Sequence, residues 1–244
     1  MRSRMPEGEP KMSEKSEKAD KIKKIISVAV IALLIPSAVA IGVFVFGDRA
    51  YIWVSLCVAL LSCLPFFLRF EHKAEDGRRT AVLAVMTALS VIGRFVFSAI
   101  PHFKPVSAVV IITGVYLGPE AGFLCGALSA IVSNIIFGQG PWTPFQMMTW
   151  GFIGFIAGII APMLKKSKIL MLLYGALAGL FFSLVMDIWT VLWDGTFTMS
   201  RYLAAVVAAV PVTAVYMVSN VLFLLLLADP IGRKLDRINK KYRL

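Results

Sequence analysis

Apolar residues fall along this chain in blocks rather than stripes. Eight blocks stand out, at positions 25–46, 51–70, 80–100, 106–117, 121–137, 145–164, 169–193 and 202–228. About 20 apolar residues in a helix cross a bilayer, so the pattern predicts an all-α polytopic membrane protein with eight spans. The block at 106–117 is too short for an upright span. It is expected either to tilt or to lie inside the bundle away from lipid.

The charged residues between the blocks test this division. Lys and Arg accumulate on the cytoplasmic side of membrane proteins. Of the 25 here, 21 fall on the two ends and on alternate connections, three (Arg49, Lys104 and Arg201) on the other connections, and Arg94 within a block. That asymmetry predicts an even number of spans with both termini cytoplasmic, in a cell membrane. It also accounts for the net charge of +11 through topology and contact with anionic lipid, so nucleic acid is not an expected partner. The connection at 71–79 is the most charged interior segment. It divides the chain into a basic arm (1–24), an accessory two-helix hairpin (25–70), a linker (71–79), a six-span unit (80–229) and a basic tail (230–244). No cleavable signal peptide is expected.

One stretch interrupts the pattern without adding charge. Residues 138–146 read Gly-Gln-Gly-Pro-Trp-Thr-Pro-Phe-Gln. Two Gly and two Pro make a continuous helix costly there, and charge counting places the stretch on the outer side. Trp142 alone reads as an interfacial anchor. Together with Gln139, Thr143 and Gln146 it reads as a rim or lid over a binding cavity.

Polar groups inside the spans cluster toward the same side. A charge within a span usually has a partner or lines a cavity. Arg94 and Asp187 each lie about six residues from the outer end of their spans, roughly 9 Å deep at 1.5 Å per residue. Equal depth permits either a structural ion pair or the floor of an outward pocket. Asn134, Trp150, Trp189 and Trp193 complete the outer set, and His102 and Lys104 lie in the connection at 101–105. A lone loop histidine such as His102 is ordinarily solvated. The inner half has small residues instead. Ala84 and Ala88 lie four apart on one face with Ala81, and Gly122/Gly126, Gly154/Gly158 and Gly175/Gly179 repeat the spacing. Such stripes let helices approach closely. The Ala84–Ala88 face is also a candidate docking surface for another subunit.

Cys57, Cys63 and Cys125 lie in apolar runs without metal-ligand spacing, so they read as packing residues, and no metal site is expected. Neither a phosphate-binding loop nor the common metalloprotease and hydrolase signatures occurs. An enzyme is therefore not expected, and the chain is not expected to hydrolyse ATP through such a loop.

Residues 80–164 resemble the substrate-binding S components of energy-coupling factor (ECF) vitamin transporters. The matching stretches are Ala84-Val-Met-Thr-Ala88, Gly93-Arg94-Phe95, Lys104-Pro105-Val106, Gly118-Pro119-Glu120-Ala121-Gly122 and the run from Gly138 to Gln146. The last looks most like the cobalamin-type S components. The resemblance implies a six-helix bundle that captures a vitamin, here cobalamin or a related cobamide, from outside. It implies partnership with a transmembrane T component and two ATPase subunits, no covalently bound cofactor, and toppling of the bundle to deliver the ligand. It implies a substrate site at Arg94, Asn134, Gln139, Trp142, Thr143, Gln146, Trp150, Asp187, Trp189 and Trp193, with docking at Ala84 and Ala88. The hairpin at 25–70 departs from the family pattern. Competing readings are an S component for another vitamin, a solitary ion-coupled carrier switching an Arg94–Asp187 pair, and a membrane enzyme or signalling scaffold, which the absence of paired catalytic carboxylates or a His cluster disfavours.

Overall fold

The computed structural model describes residues 21–23, 25–41, 53, 57–58, 60–61, 64, 74–193 and 197–242. Every regular element within them is helical: α1 (Lys21–Ile41), α2 (Ala74–Val96), α3 (Val106–Leu117), α4 (Pro119–Phe137), α5 (Trp142–Ile159), α6 (Ala161–Lys166), α7 (Lys168–Trp193) and α8 (Met199–Tyr242). Five are long and apolar enough to cross a membrane: α1, α2 from Gly77 onward, α4, α7 and α8. The expected second span at 51–70, and with it half of the accessory hairpin, falls almost wholly outside the described residues.

The short block takes the enclosed option. α3 is apolar on all faces, as a helix surrounded by others should be, and every residue except Tyr116 is buried. It touches α2, α4, α5, α7 and α8. Its hydroxyls are satisfied locally where they can be, Thr113 Oγ1 donating to the Val109 carbonyl at 2.8 Å. Lipid is as apolar as leucine, so enclosing α3 gains little from solvent exclusion. The gain comes from dense contact.

That contact depends on missing side chains. A Cβ on Gly114 or on Gly122 would fall on the Gly154 carbonyl, and one on Gly158 would meet the Pro119 backbone. α3, α4 and α5 therefore meet backbone to backbone. Gly179 does the same for α7, where a Cβ would strike the backbone at Tyr216 and Met217 of α8, while Gly175 makes room for the Leu224 side chain.

Several boundaries differ from the pattern: the helix expected at 80–100 runs Ala74–Val96, and the block 145–164 breaks at Ile160. The interruption at 138–146 shrinks to Gly138–Pro141, because α5 already starts at Trp142. Proline is tolerated in a first helical turn, whose N–H groups lack an intrahelical acceptor, so Pro144 does not delay the helix. The stretch beyond 229 continues α8 as helix to Tyr242, despite Pro211 and Pro230. At 44 residues α8 is about 66 Å long, roughly twice the hydrocarbon thickness. Its far third is pinned to the bundle. Asn239 Nδ2 donates to the Tyr116 carbonyl at 2.9 Å, Lys168 pairs with Asp229 at 2.6 Å, and Leu235 is buried. The Asp229 carboxyl lies below its ordinary value because it accepts a hydrogen bond from Lys168. α1 carries a π-helical turn at Val30–Leu34, just before Pro36, and its last turns rest on α5.

Candidate functional site

Arg94 is held by a closed network of amides and hydroxyls. It sits near the end of α2 and is only 8% exposed. Its Nη1 donates to Ser133 Oγ and, at 2.8 Å, to Asn134 Oδ1. Asn134 Nδ2 donates to Thr143 Oγ1 at 2.9 Å and to Gln146 Oε1 at 2.8 Å. The Thr143 hydroxyl donates to Gln139 Oε1 at 3.0 Å, and Gln139 Nε2 donates to the Ile131 carbonyl at 2.8 Å. Buried polar groups without partners cost on the order of 1–3 kcal/mol each, and this network leaves none on Asn134 or Thr143. The 138–141 turn is thus fastened to α4 through its own polar groups. Gly140 is required where it is, since the Trp142 ring folds back over it and leaves no room for a Cβ.

The guanidinium plane is packed between aromatic faces. Its carbon lies 5.0 Å from the Phe137 ring centre and 5.2 Å from that of Trp150, within cation–π range. Trp150 stacks on Phe182 of α7 at 5.0 Å and 15°, and Phe182 meets Tyr216 of α8 edge-on at 5.1 Å.

Beside this wall lies a cleft, open at the end of the bundle, with a cavity of about 70 Å³. Arg94, Gln146 and Trp150 from the expected set line it. So do residues the pattern did not single out as contacts: His102, Lys104, Tyr216 and Asn220. The connection at 101–105 roofs the cleft and is latched to α8. Ser219 Oγ accepts from the Lys104 backbone N–H at 2.9 Å and donates to the Lys104 carbonyl at 3.1 Å. His102 Nδ1 lies 2.9 Å from the Tyr216 hydroxyl, with its rings edge to face. His102 takes a left-handed backbone (φ 60), which costs a non-glycine residue about 1–2 kcal/mol and is sustained by these contacts. Partial burial and the neighbouring Lys104 lower the His102 pKa, and burial followed by Arg94 lowers that of Lys104.

The remaining expected residues lie elsewhere. Asn134, Gln139 and Thr143 form the support behind Arg94. Trp142 meets Trp189 edge-on at 5.7 Å, and Trp189 stacks on Trp193 at 6.0 Å, making a separate tryptophan cluster. Trp193 is 49% exposed, as an interfacial anchor would be. Asp187 is buried, its Oδ2 accepts no hydrogen bond, and it does not pair with Arg94. Equal depth left the azimuth open: the Arg94 side chain turns toward α4, not α7. Among the residues that complete the cleft, Tyr216 and Asn220 were legible in principle, as two polar groups one turn apart in an apolar run. Lys104 and His102 were not, because α8, more than a hundred residues away, decides where they sit.

A second cavity opens on the side of α2. It is a groove of about 490 Å³ between α2 and α4, with Ala84, Ala88 and Leu128 among its walls, and its lining is almost entirely apolar.

The family model described as "ECF-type riboflavin transporter, S component" matches residues 76–237. UPF0397 proteins are similar: that of Aliivibrio fischeri strain MJ11 is 31% identical over 151 residues, covering 58% of this chain and 78% of its own length. The Aliivibrio salmonicida protein is 31% identical over 150 residues, covering 58% and 77%. No solved structure matches.

Proposed function

The chain belongs to the family of ECF-type riboflavin transporter S components, a family of transport subunits and not of enzymes, and from that premise we propose that it is the substrate-capture subunit of a vitamin importer. Capture takes place in the cleft under residues 101–105. Delivery follows docking of the apolar α2–α4 groove onto a transmembrane T component that carries two ATPase subunits. The observation that carries this reading is the division of labour on α2: Arg94 serves a cationic, aromatic cleft, and Ala84 and Ala88 serve an apolar groove. The cleft end is the outer one, by the distribution of Lys and Arg, with both termini cytoplasmic.

A flat, vitamin-sized heteroaromatic of the riboflavin class suits the cleft best. Trp150 and Tyr216 offer aromatic surface, Gln146 offers its amide NH2 and Asn220 its amide oxygen, the other halves of both amides being bonded within the protein. The sequence of residues 138–146 favours a second reading, a cobamide. Two features oppose it. The amides of Gln139 and Asn134 are engaged within the protein, and a corrin ring is far larger than the cavity. A solitary carrier working through an Arg94–Asp187 switch is disfavoured, because the two residues make no contact to switch.

The test is equilibrium capture by the purified full chain from a panel of riboflavin, cobalamin, pantothenate and folate. Tight retention of one compound without any ATPase is the expected result, riboflavin first. Retention of cobalamin alone selects the second reading. Retention of none overturns the capture role, and vitamin transport by the chain alone in liposomes overturns the dependence on partners.

A further inference from the structure

The charges in the cleft do not balance. Arg94 and Lys104 both reach it, and no Asp or Glu lines it. Among the described residues neither cation pairs with a carboxylate; the partly buried Lys104 ammonium lies over the Phe137 ring at 5.5 Å. Arg94 uses Nη1 for its two hydrogen bonds, and among the described residues Nε and Nη2 have no acceptor. α3 begins here as well. Its first turn, with Val106 and Ser107 on the cleft wall, carries N–H groups without intrahelical acceptors and the positive end of the helix dipole. Two like charges and a helix N-terminus, partly removed from water, repel one another. An anion between them relieves that repulsion and fills the empty donor positions. The size of the space agrees. A cavity of about 70 Å³ has room for a carboxylate or phosphate together with bound water.

We propose that the cleft takes the anionic group of the transported ligand, a carboxylate or a phosphate, between Arg94, Lys104 and the first turn of α3, with the body of the ligand lying against Trp150 and Tyr216. The inference rests on the reading that the cleft is the capture site, and adds the chemical class of what it captures.

Matched pairs differing only in charge test it: riboflavin 5′-phosphate against riboflavin, pantothenate against panthenol, and biotin against biotinamide. The full chain is titrated with each in a maltoside detergent, which carries no phosphate. The expected result is a preference of about tenfold or more for the anionic member of whichever pair binds, falling as salt rises. Lys104→Gln should reduce that preference to within about twofold, and Lys104→Arg should keep it. Equal binding of both members of a pair by the wild type overturns the anion assignment and leaves the capture site standing. Binding of no member overturns the anion assignment, and the capture role falls with it where the vitamin panel also leaves nothing bound. A repeat titration with added phosphatidylglycerol separates the two sources of an anion: if the lipid alone protects the chain and no pair member binds, the cleft holds a headgroup and the proposal falls.

Discussion

Helix α2 serves two openings that share almost no chemistry. Near its end, Arg94 faces a narrow cleft with cations, amides and aromatic rings. Two to three turns earlier, Ala84 and Ala88 face a wide groove with almost no polar surface. The cleft is preorganised. Its Arg94 is fixed by hydrogen bonds to α4, and its roof is fastened to α8. The groove has no such furniture: small side chains leave room, and leucine and valine line it. Polar recognition needs fixed donors, because an unpaired buried donor is costly. Helix-on-helix docking within lipid needs close approach. Under the proposed function, the contrast is that of a ligand site and a protein site carried on one rod.

The largest effect should come from what the two openings share. Gly154→Leu places a side chain where α3 and α4 meet the α5 backbone. Overpacking of this kind costs roughly 3 kcal/mol, and here backbone leaves no room to yield. The expected outcome is loss of the monodisperse peak in size-exclusion chromatography; a folded variant with normal capture would show that the glycine contact is dispensable.

Arg94→Ala breaks the cleft alone. It removes the cation and strands the Asn134 carbonyl oxygen, so capture should weaken about 100-fold. Ala84→Trp does the converse. It fills the groove, so uptake by the complete transporter should cease while capture by the isolated chain stays within about twofold, since surface changes away from a site usually alter energies by less than 0.5 kcal/mol. Normal uptake by Ala84→Trp would place docking elsewhere.

Thr143→Val tests whether the 138–141 turn supports Arg94 or closes over the ligand. The hydroxyl joins Asn134 to Gln139, and its loss should cost about 1–2 kcal/mol of stability, read as a lowered unfolding midpoint, with a smaller loss of affinity. Affinity falling with an unchanged midpoint would return the turn to the role of lid.

The smallest effect concerns the roof. Burial and Lys104 hold His102 below its ordinary value of 6.5, so the folded chain prefers it neutral. The stability from that preference is complete above pH 6.5, and is lost as pH falls from 6.5 through the depressed folded value. Unfolding midpoints of wild type and His102→Gln should therefore converge on acidification. A constant gap would show that the His102–Tyr216 contact does not titrate.

Much of this was legible in the chain, for reasons that also mark the limit. The apolar blocks announce the helices, and the shortness of 106–117 announces its enclosure, because a bilayer sets a length scale. Arg94 announces itself because a charge in a span requires an explanation. Sequence spacing does not give rotation about a helix axis. It could not tell that Arg94 turns to Asn134 and leaves Asp187 unpaired, or that Trp189 and Trp193 pack on Trp142 away from the cleft. Nor could the Gly-Pro content of 138–146 show that Gln139, Thr143 and Gln146 bond to α4, since those bonds depend on where Ile131 and Asn134 lie.

The proposed function makes ligand capture and docking separate tasks of one helix bundle. Native mass spectrometry of the isolated full chain after incubation with the vitamin panel tests it most directly. The account predicts the same single ligand retained by wild type and Ala84→Trp, and lost by Arg94→Ala. Equal retention by all three, or loss in Ala84→Trp with Arg94→Ala unaffected, would contradict it.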